Sequence, residues 1–290
     1  MNASSGVHEI HTSPVTGGRD IDETDDSEPV ISPYALRVYT LGRFTIVNNG
    51  QPMRYGRKSP ARPLQLLKAL IATGGRQVGA SHLAAILWPD KDGDLALKTF
   101  ETTLHRLRKY LGDKRYLLMD DGGLTLNNEL VWVDVWDCER QMTNLRGLLS
   151  HQPNADTTAA ISTCADRMMR YYQGHFLSRE QTTSWSVSME ERLRNRFVHC
   201  MLALGSFWEQ QGLPEKAVAC YQKGIEVDDL VETFYQRLMV CLDRMGRQAE
   251  AMASYRQCKH LLSVILGLEP SDETQRIYRS FGLRNLQKTG

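Results

Sequence analysis

Five positions in the second half of the chain return after thirty-four residues: Leu204, Trp208, Gly212, Ala217 and Tyr221 recur as Leu238, Leu242, Gly246, Ala251 and Tyr255. Self-similarity at such a period marks one supersecondary unit that cannot bury its apolar face alone and must stack on its neighbours. The second copy is weaker, with Met239 where the first has Gly205. Two copies are too few for a stable stack, so helices at about 135–149, 157–173, 190–209 and 272–279 are expected to supply the caps.

Charge divides the rest of the chain. The net charge of +1 over 290 residues conceals a segregation. Residues 1–33 carry seven acids against one base, residues 34–115 carry fifteen Lys and Arg against five Asp and Glu, and the remainder nets −3. A locally basic third is the electrostatic footprint of a phosphate-binding surface. The first 33 residues, rich in Ser, Thr, Gly, Asp and Glu and without periodicity, are expected to be a disordered acidic tail. Its Asp20 to Glu28 run either competes with DNA for the basic region or is plainly solvated.

Within the basic third, the stretch Gly93 to Gly112 has the two faces of an amphipathic helix. Leu97, Phe100, Leu104, Leu107 and Leu111 recur at the helical period as a core stripe. With Leu97 at zero, Lys98, Thr102, Arg106 and Lys109 fall between about 100° and 180°, flanked by His105 and Thr99, and no carboxylate shares that face. Asp94 in the first turn and Lys109 in the last suit the helix dipole, and Gly112 suits a left-handed cap. Such a helix either lies in a DNA major groove or presents a solvated basic face.

Around it, Leu36 to Leu41 and Phe44 to Val47 read as strands turning near Gly42, and Asn49-Gly50 as a hairpin turn toward Pro52 and Met53, giving a small antiparallel sheet. A helix over about 60–73 has Leu64, Leu67, Ala69, Leu70 and Ile71 as core and stops at Gly74-Gly75. The next helix starts at Ser81 as amino cap and runs to Pro89. After the third helix, Tyr116 to Met119, Leu124 to Leu126 and Leu130 to Val133 read as hairpin strands, with a turn at Asp121-Gly122. His82 and His105 are candidates for capping or packing as well as for binding.

Strands, three helices and a terminal hairpin make a winged helix, whose third helix enters the major groove. Residues 35–134 resemble the OmpR-type winged helix. Leu36-Arg37-Val38, Leu41-Gly42, Phe44, Leu87-Trp88-Pro89-Asp90 and Leu107-Arg108-Lys109 are similar to its form in the Streptomyces antibiotic regulatory protein (SARP) family of AfsR-like activators. The thirty-four-residue unit, with Leu204-Gly205, is similar to the tetratricopeptide repeat, which implies a helix pair in each copy, turn glycines at Gly212 and Gly246, small residues that let the paired helices approach and aromatics that fill the space between repeats. Residues 135–285 resemble the bacterial transcriptional activator domain (BTAD) of the same family through Gly174-His175-Phe176-Leu177, Trp185, Glu191-Arg192-Leu193 and Leu266-Gly267-Leu268-Glu269-Pro270. Trp185 and Phe176 read as core aromatics rather than ligand contacts.

The resemblance implies a mostly α chain: a winged-helix DNA-binding domain (34–134), with small β-sheets and three helices, followed by an all-α repeat domain (135–285). Lys98, Thr99, Thr102, His105 and Arg106 would then face bases or nearby phosphates, with Arg106 matching the guanine edge and the threonines a thymine methyl. Arg57, Lys58, Arg62, Arg76 and Lys109 would hold the phosphate backbone. The acidic turn at Asp120 to Gly123 departs from a wing that touches phosphates, so that it points away or contact comes from elsewhere, for example the Asn127-Asn128 loop.

Catalytic patterns are missing. The sequence holds no GxxxxGK[ST], HExxH, GxSxG or GxGxxG motif, and Gly56-Arg57-Lys58-Ser59 lacks the earlier glycine of a phosphate loop. The ATPase region of larger family members and a phosphoacceptor receiver have no counterpart. No two of the six cysteines stand at zinc or redox spacing, so they are expected to pack as small apolar groups in a reducing cytoplasm. No cofactor, metal or membrane segment is implied. The expected function is a non-enzymatic transcriptional activator. Its partners would be double-stranded promoter DNA, RNA polymerase or an effector, and a second protomer on repeated half-sites. The alternative is a tetratricopeptide adaptor whose winged helix reads no DNA.

Overall fold

The computed structural model describes residues 33–53, 60–178 and 183–288. The expected acidic tail, apart from Pro33, lies outside them, as do Arg57 and Lys58. In β1 (Leu36–Tyr39) the alternating Leu36 and Val38 are buried, and β2 (Thr45–Asn48) pairs with it antiparallel before turning at Asn49-Gly50 into β3 (Gln51–Pro52). Asn49 and Gly50 have φ of 47° and 79°, the left-handed pair that a two-residue hairpin requires.

One expectation for this sheet fails. Val131–Val133, read from the sequence as hairpin, forms β7 parallel to β1, with Leu36 opposite Val131 and Val38 opposite Val133. The strand order is β3-β2-β1-β7, a mixed sheet. Val131 and Val133 complete the buried face that Leu36 and Val38 begin, and the intervening helices supply the long crossover a parallel pair needs.

Three helices fill that crossover: α1 (Ala61–Ala72), α2 (Ala80–Leu87) and α3 (Gly93–Leu111). The expected core residues of α1 are all buried. Ser81 is not the cap of α2: the cap position is Gly79, and the Ala80 amide donates to Gly122 O at 2.9 Å. Here β4 (Val78–Gly79) joins β6 (Gly123–Leu126) and β5 (Leu117–Asp120) in the three-stranded wing sheet β4-β6-β5. Strand pairing positions the start of α2, so no side-chain cap is needed.

The remainder is helical: α4 (Asp134–Leu149), α5 (Ala155–Tyr171), α6 (Ser184–Gln210), α7 (Pro214–Val227), α8 (Glu232–Arg244), α9 (Gln248–Leu261) and α10 (Asp272–Lys288). The repeat holds at the level of single hydrogen bonds. Gly212 and Gly246 have φ of 70° and 75°, and the next amides, of Leu213 and Arg247, reach back to Trp208 O and Leu242 O at 2.9 and 2.8 Å. Both copies thus end their first helix with the same left-handed closure. Ala217 and Ala251 are fully buried, and a side chain at Gly205 would enter the Tyr221 ring. Tyr255 stacks on Tyr278 of α10 at 3.9 Å, so α10 caps the second copy.

The winged helix and the helical half share one continuous core from Leu36 to Phe281. The Gly42 amide donates to His175 O at 2.9 Å and the Leu177 amide to Thr40 O at 2.8 Å, making an antiparallel bridge between Leu41 and Phe176. Trp132 lies between Tyr39 and Tyr171 with ring centroids 5.3 Å from each. Phe176 is buried and Trp185 packs against the core. Cys138, Cys220, Cys241 and Cys258 are buried free thiols, and burial pushes Cys220, Cys241 and Cys258 up to about 12. No described helix is long and apolar enough to cross a membrane.

Candidate nucleic-acid interface

The buried side of α3 consists of Ala96, Phe100, Thr103, Leu104, Leu107 and Leu111. Leu97, expected in this stripe, is half-buried at its edge, and Ala96 takes the inner position. Asp94 lies in the first turn, Arg108 and Lys109 in the last, and Gly112 caps the helix with φ 87°. On the opposite side Lys98, Thr102, His105, Arg106 and Lys109 are exposed and Thr99 is half-buried.

Both sheets hold the far end of this helix. Asn48 Nδ2, at the end of β2, donates to Leu111 O at 2.9 Å, and Tyr116 OH donates to Asn48 Oδ1 at 3.2 Å. The Arg108 guanidinium donates twice to Leu117 O, at 3.2 and 2.7 Å, tying α3 to β5. The exposed face is therefore presented by a helix packed through its buried side and anchored at its far end, as a binding element should be.

A cleft of about 520 Å³ opens along that face. It gathers Lys98, Thr99, Thr102 and Arg106 from α3 with Arg62 from the first turn of α1, over a floor formed by the nearly buried Trp88. Lys91 and Leu95, which the sequence reading passed over, also line it. No lining residue is acidic, so nothing within the cleft neutralises its cations. Lys91 Nζ donates to Thr99 Oγ1 at 2.9 Å, which holds this lysine against α3. The hydroxyls are engaged too: Thr99 Oγ1 donates to Leu95 O at 2.7 Å and Thr102 Oγ1 to Lys98 O at 3.0 Å. The helical wheel already carried the signal for Leu95, which falls at about 160°.

Other predicted residues lie elsewhere. His105 and Lys109 are exposed on α3 outside the cleft lining. His82 is exposed on α2 and takes no part in its cap, which disposes of the packing and capping readings. Arg76 is exposed in the segment between α1 and β4, at the opposite end of α1 from Arg62. The Asp121-Gly122 turn projects just beyond the pairing of Gly79 with Gly123, so the wing is short. Asn127 is occupied locally, its Nδ2 donating to Arg115 O at 3.1 Å and its Oδ1 accepting from the Glu129 amide at 3.1 Å. Among the described residues, no three His, Cys, Asp or Glu side chains gather as a metal site.

A winged helix that carries an unneutralised cationic cleft on its third helix and is fused to stacked helix pairs has the architecture of a bacterial transcriptional regulator. The chain belongs to the bacterial transcriptional activator domain family, whose model matches residues 133–281, just over half of its length. It is 29% identical over 257 residues to the regulatory protein AfsR of Streptomyces griseus, covering 85% of this chain and 25% of that one. It is 26% identical over 246 residues to AfsR of Streptomyces coelicolor, covering 84% and 24%. The chain thus spans about a quarter of the length of the curated relatives it matches. A solved structure of Mycobacterium tuberculosis EmbR, in complex with a low affinity phosphopeptide, shares the fold. Its TM-score is 0.60 at 19% identity, covering 87% of this chain and 65% of that chain.

Proposed function

We propose that the chain is a sequence-specific DNA-binding activator of transcription acting in the bacterial cytoplasm. The α3 face enters the major groove of promoter DNA, and the helical repeats contact RNA polymerase or a second protomer. The winged helix corresponds to residues 34–134 and the activator domain to 135–285. One observation carries this reading: the cleft on α3 collects Arg62, Lys91, Lys98 and Arg106 around three threonines, Thr99, Thr102 and Thr103, with no acid among them. Arg106 is the guanine reader, because its exposed fork matches the O6 and N7 acceptors. Thr99, Thr102, His105 and Lys98 meet neighbouring bases, while Arg62, Arg76 and Lys109, together with Arg57 and Lys58 outside the described residues, hold phosphates.

Genome-wide footprinting of the intact protein tests the proposal. Protected promoter sites that Arg106→Ala blurs at one base position would support it. Absence of any protected site, or identical footprints from wild type and Arg106→Ala, would contradict it.

A further inference from the structure

Leu95 stands out among the side chains of the α3 face. It is 52% exposed, although it is a large apolar residue in the first turns of a helix whose apolar stripe lies on the other side. It lines the cationic cleft with Lys91, Lys98 and Arg106. On the wheel it sits at about 160°, in the middle of the arc of cations rather than at its edge.

Its neighbours sharpen the pattern. Leu95, Thr99 and Thr102 are spaced four and three residues apart and form one stripe. Both threonine hydroxyls donate their protons to carbonyls of the same helix. What the two side chains still offer a ligand is chiefly their methyl groups, since Thr99 Oγ1 also accepts from Lys91 Nζ at 2.9 Å. The centre of the face is thus a narrow strip of apolar groups that leads to Arg106, with Lys98, Lys91 and Arg62 beside it in the same cleft. A DNA major groove has the matching chemistry: its floor carries the 5-methyl groups of thymines, and phosphates line its rims. At about 1.5 Å rise per residue, Leu95 to Thr102 spans about 10 Å, or three base steps of about 3.4 Å.

We infer that Leu95 is a specificity-determining residue that packs on the 5-methyl group of a thymine in the operator. This rests on the DNA-binding reading and adds to it a requirement for one methylated pyrimidine, separate from the guanine preference of Arg106. The lysines beside Leu95 hold the strand in place but do not distinguish thymine from uracil. Leu95 distinguishes them because its only chemistry is contact with the methyl.

The test selects duplexes from a randomised pool with the full chain. Each thymine of the selected site is then replaced in turn by deoxyuridine, which lacks only the methyl. The expected result is one position where deoxyuridine weakens wild-type binding about fourfold, the effect of one buried methyl-sized group. Leu95→Ala should bind the thymine and deoxyuridine duplexes equally, while keeping the guanine preference and the thermal midpoint of the wild type. The inference is overturned if a site is selected but no thymine is sensitive, or if Leu95→Ala retains the sensitivity. It is also overturned if Leu95→Ala alters only the number of protomers bound, which would make Leu95 a contact between copies. Failure to enrich any sequence would sink the DNA-binding reading itself and the inference with it.

Discussion

Asp134 accepts both the backbone amide and the hydroxyl of Thr40, at 2.8 and 2.7 Å, across 94 residues of chain. The same carboxylate takes the amides of Leu41 and Val135 at 2.9 and 2.7 Å. Burial pushes its carboxyl above the usual range, against the pull of the bonds from Leu41, Thr40 and Val135. The group joins the end of β1 to the start of α4, where the winged helix meets the helical half. Every neighbour named here is a donor, so Asp134→Asn turns an amide N–H2 toward groups that need an acceptor. The expected loss is about 1–3 kcal/mol of unfolding free energy, read by urea denaturation. An unchanged midpoint would show that the bonds contribute nothing.

The left-handed pair after α1 separates strain from packing. Gly74 and Gly75 have φ of 98° and 69°, yet a side chain at Gly74 meets nothing within 4 Å, whereas one at Gly75 would lie inside the Trp136 ring. Gly74→Ala should therefore cost only left-handed strain, about 1–2 kcal/mol. Gly75→Ala should cost that and more, because Trp136 must leave Ile71 O, to which its Nε1 donates at 3.3 Å. Equal thermal midpoints for the two variants would refute the packing of Trp136 between the halves.

Three consecutive basic positions of α3 should respond differently. Arg106 is free of acids in the cleft, Arg108 is bonded to Leu117 O, and Lys109 is exposed. Arg106→Ala is expected to leave stability unchanged and relax preference at one base, a discrimination of about 1–3 kcal/mol. Arg108→Ala should lower stability by about 1 kcal/mol. Lys109→Ala should weaken all duplexes alike. Thermal melts beside fluorescence anisotropy on matched and mismatched duplexes assign the three roles; a base-specific loss from Arg108→Ala would reverse them.

Thiol chemistry tests the helical core. Cys138, Cys220, Cys241 and Cys258 are buried and their thiols are pushed well above the ordinary range, whereas Cys164 and Cys200, also raised by burial, are only half-buried. Only the thiolate reacts. A disulfide reagent at mildly alkaline pH should modify Cys164 and Cys200 first, and the other four only in denaturant. Rapid labelling of Cys241 or Cys258 in the folded protein would mean that the second helix pair opens.

Much of this was legible in the sequence, for identifiable reasons. The period of thirty-four residues located both turn glycines because only a left-handed position closes each helix pair. Helix α3 was legible because its apolar and basic residues segregate on one wheel. Strand β7 was not: three residues beside a hairpin look like its continuation, and nothing local shows that their partner is β1. Ser81 misled because a serine at a helix start usually caps it, whereas here strand pairing fixes the start of α2. Lys91 and Leu95 were not legible from the pattern of charge within the helix. Lys91 lies before α3, and Leu95 carries no charge.

The salt dependence of binding tests the cationic face of α3 most directly. With a mixed-sequence duplex, log affinity against log salt should fall with a slope of about −0.9 per phosphate neutralised. An Arg62→Ala, Lys109→Ala double variant, which removes two of the residues assigned to phosphates, should flatten that slope by roughly 1–2 while keeping the wild-type melting temperature. A slope near zero, or one that the double variant leaves unchanged, would contradict the assignment of this helix to the duplex.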